Sequence, residues 1–170
     1  TDRLLRHGPL VAHPNGNHVT LRWGLQAEMR MEFSRGLGHT LNKDDAAKSF
    51  AQAQALYREA DLPAPAGRAA MEEGQIAVLK GEVERARHLF EGALTAAAAA
   101  GDERLAVGTL RALGTCLYVR GEDLGEAERA LRDALRRARR LDNHQLMLDP
   151  LINLSSLLGF TGRPGEALAL

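Results

Sequence analysis

The sequence has little cysteine, few aromatic residues and no excess of either charge, and each shortage narrows the class of protein. A single cysteine, Cys116, excludes an internal disulfide framework and is typical of a reducing compartment, so we expect a cytoplasmic protein. Aromatic residues make up 4% of the chain, fewer than one close-packed globular core usually contains. Basic and acidic residues balance at 22 each, which supports neither a nucleic-acid partner nor binding to a membrane surface. No hydrophobic run is long enough to span a membrane.

Alanine, by contrast, is abundant, and it takes part in a repeat with a period of 40 or 41 residues. A small residue is followed four positions later by a large apolar residue, and three positions after that by another small one. This spacing places all three on one face of a helix, and small side chains let helices approach closely. The copies are Ala46, Phe50 and Ala53; Ala86, Phe90 and Ala93; Ala127, Leu131 and Ala134; and a last one that opens at Ala167.

A pair of small residues, seven positions apart, precedes three of these copies. The second member is always glycine, which adopts the left-handed cap at a helix end at little cost. The first member would lie within the helix, where glycine is destabilising, so we expect a neighbouring helix to pack closely there. The pairs are Gly74 and Gly81, Gly114 and Gly121, and Ser155 and Gly162.

Together the two markers predict an all-α fold, an α-α superhelix of antiparallel helical hairpins spanning residues 1–170 as a single solenoid. Asp102 and Asn143 are expected N-caps, and Pro164 suits the first turn of a helix. No polar capping unit closes either end, so we expect a fragment of a longer protein and leave open oligomerisation through the uncapped ends. The predicted helices are 18–36 and 43–60, 66–80 and 82–99, 102–120 and 123–141, and 144–161 with one opening at 164. The repeats are approximately 17–60, 66–100, 102–141 and 143–170, and residues 1–15 could end a preceding repeat.

Residues 19–33 also fit a strand, because apolar residues alternate strictly from Val19 to Phe33. The stretch is much longer than a usual strand and is rich in helix formers. Residues 16–36, which contain this stretch, also align without gaps onto residues 101–121. We therefore favour a helix and keep the strand as the alternative.

These residues resemble the tetratricopeptide repeat, which has a small residue and a terminal glycine in its first helix and a small–aromatic–small triplet in its second. The resemblance covers residues 17–170 and is weakest in the first unit, which lacks the mid-helix glycine. It implies a right-handed superhelix with a concave groove lined by the first helices. The period of 40 or 41 exceeds the usual 34. Longer units of this kind are similar to those of bacterial LuxR-type (MalT-like) activators, SARP-type antibiotic regulatory proteins and quorum-sensing peptide receptors, and of eukaryotic adaptor scaffolds.

The implied function is a non-catalytic scaffold that binds a protein or peptide; the alternative is a ligand- or peptide-sensing segment of a bacterial transcriptional or signalling regulator. Three arginines on the implied groove face would favour an acidic partner segment. Trp23 and Tyr118 suit either the groove or the core, whereas Phe33 and Phe160 fit packing better. The implied groove residues are Trp23, Gln26, Arg30 and Phe33; Arg68, Met71 and Gln75; Arg111, Thr115 and Tyr118; and Ile152, Ser156 and Phe160.

The other candidate sites in the sequence give little support for a metal site or a catalytic site. The histidines at 7, 13 and 18 match no zinc-binding pattern, and Cys116 has no evident partner base. With no nucleophile–base pair, metal set or phosphate loop, we expect neither an enzyme nor a cofactor. A basic cluster in the second helix of the third unit favours a solvated face, with a docking patch for nucleic acid or an acidic domain as the alternative. Its members are Arg132, Arg136, Arg137, Arg139 and Arg140.

Overall fold

Seven α-helices follow one another in the computed structural model, which describes residues 43–170, and no strand occurs within that range. The predictions for residues 1–42, including the helix over 18–36, its strand alternative and the segment 1–15, lie outside the described residues. The helices are α1 Lys43–Glu59, α2 Pro63–Lys80, α3 Val83–Ala100, α4 Glu103–Arg120, α5 Leu124–Arg140, α6 His144–Phe160 and α7 Pro164–Leu168.

The ends of the helices follow the capping chemistry of the sequence. Gly81 and Gly121 are left-handed, with φ of 80° and 69°, and end α2 and α4 as predicted. Asp102 and Asn143 are confirmed as N-caps, since each side chain accepts a hydrogen bond from the backbone N–H three residues on. One boundary was wrong: residues 63–65, predicted to lie in a break, form the first turn of α2. Prolines at the start of a helix favour it, because their φ is already helical and their missing N–H has no partner to lose there.

The small residues inside the first helices are sites of close contact, as predicted. A Cβ built on Gly74 would lie 2.6 Å from the Phe90 ring, and one on Gly114 would lie 2.7 Å from Cγ of Leu131. Phe90 and Leu131 are both fully buried. Each pair therefore joins the two helices of one hairpin, α2 with α3 and α4 with α5.

The hairpins stack in two layers. Each helix packs on its sequence neighbours, and α4 also contacts both α2 and α6 directly. The helices of the other layer are linked by long charged side chains: Arg87 of α3 pairs with Glu126 of α5, and Arg163, which caps α7, pairs with Glu128 of α5. The largest buried cluster lies between the layers and runs from Ala77 to Leu158. The predicted α-α superhelix is confirmed, whereas the division into four repeats stays a prediction.

Candidate binding groove

The face that the resemblance assigns to ligand binding lies on the layer formed by α2, α4 and α6. On α2 it contains Arg68, Met71 and Gln75. Leu79 lies on the same side, because the eleven residues from Arg68 make about three whole helical turns. The same register recurs 40 residues later on α4 and 41 residues after that on α6. Since α2 contacts α4 and α4 contacts α6, the three faces adjoin. We call this surface the groove face. Its predicted members Trp23, Gln26, Arg30 and Phe33 lie outside the described residues.

Two arginines of the groove face are already paired with carboxylates of this chain. Arg68 Nη1 lies 3.1 Å from Asp102 Oδ2, and Arg111 Nε lies 3.7 Å from Asp149 Oδ2. The side chains of Arg68 and Asp149 are largely exposed, so both pairs are open to solvent and to competition from a ligand. Their charge is nonetheless compensated within the chain, which weakens these two residues as anchors for an acidic partner.

The hydroxyl groups of the groove face are hydrogen-bonded within the layer formed by α2, α4 and α6. Thr115 Oγ1 donates to the carbonyl of Arg111 at 2.7 Å and accepts from Asn153 Nδ2 at 2.9 Å, which ties α4 to α6. Ser156 Oγ donates to the carbonyl of Ile152 at 2.9 Å. Because each hydroxyl has used its hydrogen on its own helix, it keeps acceptor capacity towards an incoming N–H donor. Gln75 is half-buried at the equivalent position of α2.

The apolar members of the groove face divide between packing and exposure. Met71 is half-buried against the core, and its sulfur would lie 3.5 Å from a Cβ on Gly108 of α4. Tyr118 also packs on the core, and its ring meets the Phe160 ring edge-on, with centroids 5.9 Å apart. The packing interpretation of Phe160 was wrong, because the side chain is 69% exposed and is met only along one edge by Tyr118. Ile152 is exposed as well.

Two further exposed apolar residues were missed by the sequence interpretation. Leu79 is 59% exposed and Val119 is 67% exposed, at the register that Phe160 occupies on α6. We call Leu79, Val119 and Phe160 the apolar row. A signal was present in the sequence, since each residue stands two positions before a helix-ending glycine, at 81, 121 and 162.

Two cations lie beside the apolar row at the end of α2. Lys43 Nζ donates to the carbonyl of Leu79 at 3.2 Å, and Arg120 Nη2 donates to the carbonyl of Val78 at 2.9 Å. Arg120, the residue after Val119, thus extends from α4 to the end of α2, next to Leu79 in the chain. Within residues 43–170 neither cation forms an ion pair. Lys80, in contrast, binds Asp44 and Glu82, and those two hydrogen bonds raise its pKa.

The basic cluster on α5 is largely neutralised. Arg132 pairs with Glu128, and Arg136 and Arg137 both pair with Asp133. This pairing favours the solvated face over a docking patch for nucleic acid.

The remaining candidates provide no reactive group. Cys116 is buried, and burial raises the pKa of its thiol, which keeps it protonated. No group of three potential metal ligands occurs among residues 43–170, and the three histidines at 7, 13 and 18 lie outside that range. A cleft of about 370 Å³ between α3, α4 and α5 is lined by none of the predicted groove residues. None of the helices described has the length and apolar character needed to cross a bilayer.

No protein-family model and no curated protein matches the sequence. Solved structures match in fold. One, described as the crystal structure of the apo form of RapI, matches over 99% of this chain with a TM-score of 0.77 and 16% sequence identity. This chain spans 56% of the RapI chain, a little more than half of its length. At this identity the likeness shows the fold alone, which is a tetratricopeptide-like solenoid of helical hairpins.

Proposed function

We propose that this chain is a non-catalytic cytoplasmic scaffold that binds a protein or peptide segment along the groove face of α2, α4 and α6. The observation that carries the proposal is the continuity of that face. The three alternate helices α2, α4 and α6 present the same register side by side, with polar groups in the middle and exposed apolar side chains at the end. An extended segment needs both, because its backbone requires hydrogen-bond partners and its side chains supply the buried area.

The longer repeat favours a second candidate function, a sensing segment within a bacterial transcriptional or signalling regulator. The supporting observation is that the matching RapI chain is almost twice as long, so this fold forms part of a longer chain in that protein. In such a regulator the groove would bind an inducer, peptide or inhibitory protein. Fusing the chain to its genomic neighbours and measuring whether a groove ligand changes the activity of the adjoining domain would separate a sensor from a plain scaffold.

Selection of peptides from a random phage library on the immobilised chain tests the scaffold proposal. Selected peptides are then measured against a groove variant that combines Arg111→Glu with Ser156→Arg. Both positions are at least partly exposed, so the fold should persist, while the charge and shape of the groove face change. We expect Kd to rise at least about tenfold, as for a substitution at the centre of an interface.

The matched control is Arg136→Glu on α5, which changes an exposed arginine away from the groove face. It should leave Kd within about twofold, the usual range for a residue outside an interface. If no peptide is selected, or if the control weakens binding as much as the groove variant does, the groove face is not the binding surface.

A further inference from the structure

The apolar row is the strongest unexplained surface feature among the described residues. Leu79, Val119 and Phe160 are each more than half exposed, and each stands at the same register of its helix. Isolated exposed apolar residues are common on protein surfaces, but a row at a fixed period on adjoining helices is a contiguous patch. Resting on the proposed function, we infer that the groove ligand is an acidic segment in polyproline II conformation, with an apolar side chain at every third position.

The spacing of the row selects this conformation. Helices in direct contact have axes about 8–10 Å apart, so we expect successive members of the row to be separated by about that distance. A polyproline II chain has three residues per turn and rises about 3.1 Å per residue, which places every third side chain on the same side about 9 Å apart. In a β-strand the third residue points to the opposite face, so a strand does not fit the row.

The polar groups beside the row favour a ligand whose backbone N–H groups are unpaired over a helical ligand. A polyproline II backbone makes no internal hydrogen bonds, so its N–H groups need acceptors. The hydroxyls of Thr115 and Ser156 lie one helical turn before Val119 and Phe160, and both keep acceptor capacity. A helical ligand would repeat its side chains about every 10.5 Å at seven residues, but its backbone groups are already paired and would leave these hydroxyls unused.

Charge complementarity makes the ligand acidic. Arg120 follows Val119 in the chain, donates to the carbonyl of Val78 beside Leu79, and forms no ion pair within residues 43–170. Lys43 donates to the carbonyl of Leu79, and it likewise forms no ion pair in that range. A carboxylate between the first and second apolar residues of the ligand would meet Arg120. The expected anchor for an acidic partner is therefore Arg120, rather than Arg68 or Arg111, which are paired within the chain.

The test uses synthetic peptides labelled with fluorescein and the full chain. The probe is three repeats of Leu-Pro-Glu, because proline favours polyproline II and the leucines recur every third residue. The comparison peptides are a permutation of the same nine residues without the period, a Leu-Pro-Lys version, and a helical peptide with leucine at every seventh position. By fluorescence anisotropy the probe should bind at least about tenfold more tightly than each of the three. The permuted and helical peptides leave at least one apolar side chain unburied, and the Leu-Pro-Lys peptide places a like charge beside Arg120.

Variants of the chain test whether the probe peptide binds at the apolar row. Val119→Ser should raise its Kd about tenfold, and Leu168→Ser, which changes an exposed leucine outside the row, should leave it unchanged. Arg120→Gln keeps a donor for the Val78 carbonyl but removes the charge. It should raise Kd about fivefold at low salt, with the difference shrinking as salt increases. Circular dichroism confirms that each variant remains folded.

Three results would overturn the inference. They are tighter binding of the helical peptide, equal binding of the permuted one, and a Kd unaffected by Val119→Ser and Arg120→Gln. If library peptides bind and respond to the Arg111 and Ser156 variant while the row variants have no effect, the proposed function survives and the row assignment fails. If no peptide from the library or the designed set binds, both fail together.

Discussion

Phe90 occupies the space that a side chain at Gly74 would need, since an added Cβ would lie 2.6 Å from one ring carbon and 2.9 Å from another. Phe90 is fully buried, so its ring has little freedom to move away. The contact locks α2 onto α3. It also explains why a residue that disfavours helix stands in the middle of one.

Gly74→Ala should therefore destabilise the protein by about 1–2 kcal/mol, because overpacking outweighs the gain in helix propensity. Gly92→Ala is the matched control, since nothing lies within 4 Å of a Cβ at that position in α3. It should stabilise the protein by about 0.5–1 kcal/mol. Urea unfolding followed by circular dichroism measures both changes. If both variants are stabilised alike, the contact between α2 and α3 is looser than the structure shows.

Phe90→Ala should cost about 3–5 kcal/mol, because it leaves a cavity beside Gly74 and inside the largest buried cluster. Phe160→Ala provides the comparison, since that ring is 69% exposed, and it should cost less than about 1 kcal/mol. Chemical denaturation of the two variants side by side gives the difference. A loss below 1 kcal/mol for Phe90→Ala would show that the repeat register is misassigned.

The sequence was sufficient to predict where most of the described helices begin and end. It was not sufficient to predict which side chains of the groove face are paired or exposed. The ends of α4 and α6 could be predicted because Asp102, Asn143 and Gly121 act through local backbone geometry. The pairing of Arg68 with Asp102 joins residues 34 positions apart and depends on how one hairpin is placed on the next. The exposure of Phe160 depends on the same placement. Leu79 and Val119 could not be identified as exposed from their period alone, because a large apolar residue near a helix end has the same spacing whether it is buried or exposed.

Asn143→Ala should cost about 1 kcal/mol, because the side chain accepts a hydrogen bond from the Leu146 N–H at 3.1 Å and no other group caps the start of α6. Asn143→Ser restores an N-cap acceptor and should recover most of the loss. Thermal unfolding of the three proteins tests the order wild type, serine, alanine. Equal stability of the serine and alanine variants would indicate that the cap does not hold α6.

The ion pairs of Arg163 should make the free energy of unfolding fall in acid, because Arg163 binds carboxylates on both α5 and α7. It donates to Glu128 of α5 at 2.7 Å and to Glu166 of α7 at 2.6 Å. These hydrogen bonds lower the pKa of both carboxyl groups below the ordinary value of 4.5. With a folded pKa below the unfolded one, the stabilisation is complete above about pH 4.5 and is lost as the pH falls through the folded pKa.

The expected result is a progressive loss of unfolding free energy below about pH 4.5, and a smaller loss in Arg163→Gln and in Glu128→Gln. Urea unfolding at pH 7 and at pH 3 gives the slope for each protein. The control is Glu59→Gln, because Glu59 is exposed at the end of α1 and forms no ion pair within residues 43–170. Its pH dependence should match that of the wild type. If Arg163→Gln keeps the full wild-type loss, the link between α5 and α7 contributes nothing to stability, and other carboxylates account for the acid sensitivity.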